Sequence, residues 1–101
     1  MNPLPHQIEL YLPEWIPDFL EDQPDFFLST KERMKLVLGL TDRQIVEGTG
    51  GPFGAAVFEL KSGRLIAVGV NLVVATGCST AHAEVVALSL AQKAVGTHDL
   101  G

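Results

Sequence analysis

Apolar residues recur at helical spacing in two segments of the chain and form two short continuous runs between those segments. The first helix is predicted to begin at Ser29, because Ser29 and Glu32 have the spacing of a capping box, and to end at Gly48. Its apolar positions near the helical period are Met34, Val37, Leu38, Ile45 and Val46. The second predicted helix spans residues 81–95 and is closed by Gly96.

The two apolar runs between the helices, residues 55–60 and 65–74, are typical of buried strands. Residues 61–64 have the composition of a hairpin turn, which predicts that the strands are antiparallel neighbours. A glycine-rich loop at 49–54 precedes the first strand, and a loop of small and polar residues at 75–80 follows the second. The order helix, strand, strand, helix predicts an α/β domain.

The first 28 residues form a separate, proline-rich arm. Their five prolines limit any helix to a short one, which we place at 13–20. Four aromatic residues are expected to pack this arm onto the core: Trp15, Phe19, Phe26 and Phe27. The sequence therefore divides into an arm at 1–28 and a domain at 29–101.

Composition narrows the classes of function. Of the residues, 47% are hydrophobic and 19% are charged, which is an ordinary globular balance, and the formal net charge is −5. This acidic balance disfavours a protein that binds nucleic acid through a basic surface. The single cysteine, Cys78, cannot form an internal disulfide, so a reducing cytoplasmic location is expected. No signal peptide and no apolar stretch long enough to cross a membrane is recognisable.

Candidate chemistry lies at the start of the second predicted helix, at His82 and Glu84. A helical projection places Glu84 on an apolar face formed by Ala87, Leu88, Ala91 and Val95. Partial dehydration there would raise its proton affinity toward the range useful for acid–base chemistry. Side chains at this spacing do not touch on a helix, so they converge only on an atom beyond the helix end, such as a metal-bound water. A structural histidine and a first-turn glutamate are the alternative.

The surrounding pattern makes a family resemblance specific. The motif Gly-Gly-Pro-Phe-Gly-Ala at 50–55, a hairpin whose second strand ends near Asn71, and the stretch 80–84 resemble the cytidine deaminase-like superfamily. The glycine loop is most similar to that of its guanine deaminase branch. The resemblance covers residues 31–101 and implies a three-layer α/β/α fold with a mixed sheet, truncated after the zinc-ligand helix.

The resemblance also implies site residues and a cofactor. His82 would bind Zn²⁺ and Glu84 would transfer protons in a hydrolytic deamination. Asn71 would hydrogen-bond the base, the Ala83 backbone N–H would contact its carbonyl edge, and Phe53 would form a wall against the ring. The implied substrate is a purine base, with guanine as the first choice. The implied assembly is a homodimer, and neither nucleic acid nor a membrane is expected as a partner.

One departure from the family pattern limits this interpretation. The family's Pro-Cys-x-x-Cys segment, which supplies two zinc ligands, is absent from the 101 residues. We therefore expect residues 29–101 to be the N-terminal half of a deaminase domain that is inactive alone. Cys78, His6 and His98 are interpreted as loop or surface residues. Deamination of cytidine, deoxycytidylate or transfer-RNA adenosine, and a non-catalytic scaffold with the same fold, remain alternatives.

Overall fold

The computed structural model describes residues 3–101, so Met1 and Asn2 of the predicted arm lie outside the described residues. Its elements are α1 (Ile16–Glu21), α2 (Thr30–Glu47), β1 (Gly54–Phe58), β2 (Leu65–Val70), α3 (Val73–Thr76) and α4 (Ala83–Val95). Among these, no helix combines the length and the apolar character that a membrane crossing requires.

Helix α2 has the predicted capping at both ends. The Ser29 hydroxyl accepts the Glu32 backbone N–H at 3.1 Å, and the Glu32 carboxylate accepts the Leu28 N–H at 2.8 Å. Gly48 closes the helix in the left-handed region with φ 65°, where a glycine carries no Cβ penalty. The predicted N-cap at Ser29 and stop at Gly48 are therefore confirmed, although the Glu32 carboxylate accepts from Leu28, the residue before the N-cap, and not from Ser29 itself.

Strands β1 and β2 form the predicted antiparallel hairpin, with Gly54 opposite Val70 at one end and Phe58 opposite Leu65 at the other. The apolar run predicted a strand over 65–74, which is too long, whereas the family resemblance implied an end near Asn71, which matches β2. It ends at Val70, because the Asn71 side-chain Oδ1 accepts the Val73 N–H at 3.1 Å and turns the chain into α3. Residues 75–80, predicted as a loop, therefore begin inside this short helix.

The two long helices pack on opposite faces of the hairpin. A Cβ added at Gly54 would meet α2, 3.0 Å from Leu40 Cβ, whereas one added at Gly69 would meet α4, 2.3 Å from the Ala83 carbonyl oxygen. Gly54 pairs with Val70 and Gly69 with Ala55, so the two glycines face opposite sides of the sheet. The described chain therefore has α/β/α layering, as the predicted fold class requires.

The N-terminal arm contributes directly to the core. Trp15 and Phe27 are 6% and 3% exposed, and both belong to the main cluster of buried residues. Phe26 was expected to pack inward as well, but it is 51% exposed, because its backbone bridges to Arg64 in extended geometry and successive side chains there alternate sides. Helix α1 begins at Ile16, three residues later than predicted.

Candidate active site

One side of the candidate site is built by the end of the hairpin. The Asn71 N–H donates to the Phe53 carbonyl oxygen at 3.1 Å, one position beyond the last strand pair, Gly54 with Val70. This bond extends the hydrogen bonding between the two strands by one residue pair, into the last residue of the glycine-rich loop before β1. Phe53 and Asn71, which are 18 positions apart in sequence, therefore become neighbours at the same end of the sheet.

The other side is built by the start of α4. This helix lies directly against β2, since an added Cβ at Gly69 would be 2.3 Å from the Ala83 carbonyl oxygen and 2.6 Å from the Ala87 nitrogen. The Leu72 N–H donates to the Ala81 carbonyl oxygen at 2.9 Å and fixes the approach to the helix. The helix start is thereby placed beside the sheet end.

These two sides enclose a pocket of about 260 Å³ lined by Phe53, Asn71, His82, Ala83 and Glu84. All five residues that the sequence analysis selected therefore surround one cavity. Pockets that enclose drug-sized ligands have volumes of roughly 300–1,000 Å³, so this cavity matches a smaller ligand such as a single planar ring system.

His82 and Glu84 approach each other more closely than predicted. The His82 Nδ1 and Glu84 Oε1 atoms are 3.6 Å apart. The prediction that they cannot touch assumed that both are helical, but His82 is the N-cap of α4 with extended backbone angles, φ −70° and ψ 154°. This conformation turns the imidazole toward the carboxylate at the helix end.

The predicted dehydration of Glu84 is wrong for the described chain. Its side chain is 65% exposed, and that of His82 is 57% exposed. The buried residues of α4 are Ala83, Val86, Ala87 and Ala91, so two members of the predicted apolar face are buried as expected. Leu88 and Val95, which share the predicted apolar face with Glu84, are themselves 46% and 48% exposed. The carboxylate is therefore hydrated and lies at the rim of the pocket.

The Asn71 side chain both caps the turn that follows β2 and lines the pocket. Its Oδ1 accepts the Val73 N–H, which fixes the orientation of the amide and leaves its NH₂ group as the donor end. The backbone carbonyl of Asn71 accepts a hydrogen bond from Gln44 Nε2 at 2.9 Å. Gln44 was not selected from the sequence, although it continues the buried Leu36 and Leu40 positions at four-residue spacing.

The described residues do not provide a complete metal site. Within 3–101, no group of three histidine, cysteine, aspartate or glutamate side chains is placed to hold an ion. Cys78 is half-buried, packs against the core and does not line the pocket with His82. His6 and His98 lie on the surface, as expected. His82 therefore offers one nitrogen ligand, and catalytic zinc requires two further protein ligands.

Comparison with known proteins identifies close relatives. No family model matches the chain. Guanine deaminase of Bacillus subtilis (strain 168) is 40% identical over 67 residues, which span 66% of this chain and 42% of that protein. The solved guanine deaminase from Nitrosomonas europaea superimposes with a TM-score of 0.83 at 42% identity, covering 98% of this chain and 53% of that one.

A mutant of the protein NE0047, solved in complex with 8-azaguanine, superimposes with a TM-score of 0.84 at 44% identity and covers 96% of this chain and 52% of that one. The chain thus spans about half the length of these relatives. Because 98% of the chain is covered in one superposition, the likeness extends into the N-terminal arm, beyond the expected 31–101.

Proposed function

We propose that the chain belongs to the cytidine deaminase-like family and forms part of a guanine deaminase, an enzyme that hydrolytically removes the exocyclic amine of a purine base; its similarity to guanine deaminases supports this. The observation that carries the proposal is the pocket in which Phe53, Asn71, His82, Ala83 and Glu84 meet. The 8-azaguanine complex of a relative supports a purine as the ligand class.

The donors around the pocket support recognition of a base with acceptor atoms on its edge. The Asn71 NH₂ group is held by the bond from the Val73 N–H to Oδ1. The Ala83 N–H lies in the first turn of α4, where backbone N–H groups have no intrahelical acceptor. Two such donors suit the carbonyl oxygen and a ring nitrogen of guanine. The Phe53 ring, 59% exposed, offers a flat surface against which a base can stack.

We assign proton transfer to Glu84. Deamination requires a group that accepts a proton from the attacking water and delivers it to the leaving amine. A carboxylate at the rim of the substrate pocket can do both when the substrate lies within hydrogen-bond reach.

We propose that His82 is one ligand of a Zn²⁺ ion, because its exposed imidazole stands at the pocket rim beside Glu84. Bound zinc would supply a hydroxide nucleophile at neutral pH. Its other ligands, two cysteines by family resemblance, must come from outside the described residues, which hold no three-ligand group. The chain alone should accordingly be inactive.

We further propose how the protein is divided, assembled and located. Residues 29–101 would form the N-terminal half of the deaminase domain, preceded by the arm at 1–28. The intact protein would act as a homodimer, since a two-stranded sheet leaves edges open to pairing. We also propose a cytoplasmic location, which the free Cys78 supports because an unpaired thiol needs no oxidising compartment.

Ammonia release by the intact protein tests this function, with guanine, cytidine and adenosine presented separately. Turnover of guanine alone is the expected result, and preference for cytidine or adenosine would replace the substrate assignment. Replacement of Glu84→Gln should reduce turnover at least about a hundredfold while zinc stays bound, since proton transfer contributes roughly 10²–10⁴-fold. Asp42→Asn, an exposed carboxylate on α2, is the matched control. Less than a tenth of an equivalent of zinc in the intact protein would instead indicate a scaffold.

A further inference from the structure

A partly buried chain of hydrogen bonds connects the N-terminal arm with the candidate pocket. The Trp15 indole N–H donates to Thr49 Oγ1 at 3.0 Å, and the Thr49 hydroxyl donates to Gln44 Oε1 at 2.5 Å. Gln44 Nε2 then donates to the backbone carbonyl of Asn71 at 2.9 Å. Asn71 lines the pocket. Four residues from the arm, α2, the glycine-rich loop and the end of β2 thus form one connected chain.

Gln44 is the central member of this chain. It is 0% exposed and is the one polar residue among the buried side chains of the described structure. A buried amide is stable only when its donor and acceptor atoms are paired, and Gln44 pairs its oxygen with Thr49 and its nitrogen with Asn71. An apolar side chain would pack equally well in a core position of α2, so burial alone does not explain a glutamine.

The glycine-rich loop is shaped around the same amide. Gly50 has φ 153°, and a Cβ there would lie 2.5 Å from the Asn71 carbonyl oxygen and 2.7 Å from Gln44 Nε2. The loop therefore closes over the bond between Gln44 and Asn71. Three residues further on, Phe53 returns to Asn71 through the bond from the Asn71 N–H to the Phe53 carbonyl. Both pocket residues of the sheet end are thereby held by this one arrangement.

The far end of the chain is held rigidly by the arm. The Trp15 ring packs edge-on against Phe19, with 6.1 Å between ring centroids, and lies under the Arg43 guanidinium at 5.7 Å. Trp15 itself is 6% exposed. These contacts fix the indole N–H that orients the Thr49 hydroxyl, and through it the Gln44 amide.

We infer that Gln44 is a positioning residue for purine recognition: it holds the Asn71 backbone, and through Thr49 and Trp15 it makes the N-terminal arm a structural part of the substrate pocket. This inference rests on the proposed function for its ligand, because Asn71 is assigned there to the base. Independently of any ligand, the inference says that the position of the Asn71 side-chain amide depends on Gln44.

The variant Gln44→Glu tests the link at one atom. It keeps the side-chain volume and the acceptor for the Thr49 hydroxyl, but it places a carboxylate oxygen against the Asn71 carbonyl, where two acceptors repel. Thr49→Val removes the hydroxyl with little change of shape and supplies a second, milder break in the same chain. Leu36→Val, a buried position two turns earlier on α2 that does not line the pocket, controls for general loss of stability.

Three measurements on the intact protein decide the matter: the Kd for 8-azaguanine, the NMR resonances of the Asn71 side-chain amide without ligand, and the unfolding free energy in urea. We expect Gln44→Glu to weaken binding about tenfold or more, since displacement of a positioning group by an ångström can cost up to ~100-fold. Thr49→Val should weaken binding less, and Leu36→Val should leave it unchanged. The Asn71 amide resonances should shift in both network variants.

Unchanged Asn71 resonances in Gln44→Glu and Thr49→Val, or affinities within twofold of the parent, would overturn the inference. If the parent protein binds no purine, the proposed function fails, and the Asn71 resonances alone then decide whether Gln44 positions this amide. If Gln44→Glu does not fold, Thr49→Val carries the same test. The failure of the function and the failure of the network are therefore distinguishable.

Discussion

Replacement of Gly69 by alanine should separate the start of α4 from the sheet. Gly69 does not have a positive φ, so its backbone angles permit an alanine. Only the lack of space for the added Cβ opposes the substitution. Its Cβ would lie 2.3 Å from the Ala83 carbonyl oxygen, and contacts under 3.0 Å are essentially never observed. The helix would have to move by about 0.7 Å to restore even that limit.

The expected magnitude follows from two opposing terms. Alanine in place of glycine within a strand gains roughly 0.5–1 kcal/mol of conformational free energy. Insertion of a methyl group against backbone atoms costs about 1–3 kcal/mol. The atoms that would have to yield, Ala83 O and Ala87 N, are backbone rather than the end of a flexible side chain, so we use the upper part of this range. Gly69→Ala should therefore destabilise the protein by about 1–2 kcal/mol.

The displacement matters more for the site than for stability. His82, Ala83 and Glu84 move with the helix, whereas Phe53 and Asn71 stay with the hairpin. We expect the Kd for 8-azaguanine to rise by about tenfold, because binding residues on the two sides no longer converge.

Urea unfolding and calorimetric titration of the intact protein measure the two effects. Ala91→Gly is the matched control, because a glycine within a helix costs about 1 kcal/mol without pushing α4 away from the sheet. Its affinity should remain that of the parent. An unfolding free energy for Gly69→Ala within about 0.5 kcal/mol of the parent, together with an unaltered Kd, would refute the argument from helix–strand contact.

Two further substitutions test other parts of the fold. Ser29→Ala removes the acceptor of the Glu32 N–H and should lower the unfolding free energy by about 0.5–2 kcal/mol. Ligand affinity should not change. An unchanged urea midpoint would contradict the capping role. Gly50→Ala places a Cβ 2.5 Å from the Asn71 carbonyl oxygen, so it should weaken 8-azaguanine binding and shift the Asn71 side-chain amide resonances. Gly77→Ala, also at positive φ (72°) but with no atom within 4 Å of the added Cβ, should change neither.

The helix ends and the hairpin turn could be predicted from the sequence because each depends on residues that are close together in the chain. The capping box at Ser29, the glycine stop at Gly48 and the hairpin turn at 61–64 each depend on interactions within a few residues. The predicted site residues lie around one pocket because they were chosen from a family motif. The spacing of that motif, from the glycine loop to His82, reflects how the hairpin and α4 pack together in the family.

Two features could not be obtained from the same patterns. The exposure of Glu84 follows from its place in the first turn of α4: Ala87 and Ala91, which share its projected face, are buried, whereas Glu84 lies at the helix end beside the pocket. The role of Gln44 depends on partners 5 and 27 positions away. Helical spacing places Gln44 in line with Leu36 and Leu40, but no periodicity indicates that its amide meets the Asn71 carbonyl just after β2.

The hairpin has a further consequence for handling the isolated chain. Residues 25–27 of the arm cover the beginning of β2, through bonds such as the Leu65 N–H to the Asp25 carbonyl at 3.0 Å. The outer side of β1 has no such cover among residues 3–101, because the sheet consists of β1 and β2 alone. Uncovered strand edges template aggregation. A preparation of these 101 residues by themselves should therefore self-associate as its concentration rises, through backbone amides along Gly54–Phe58.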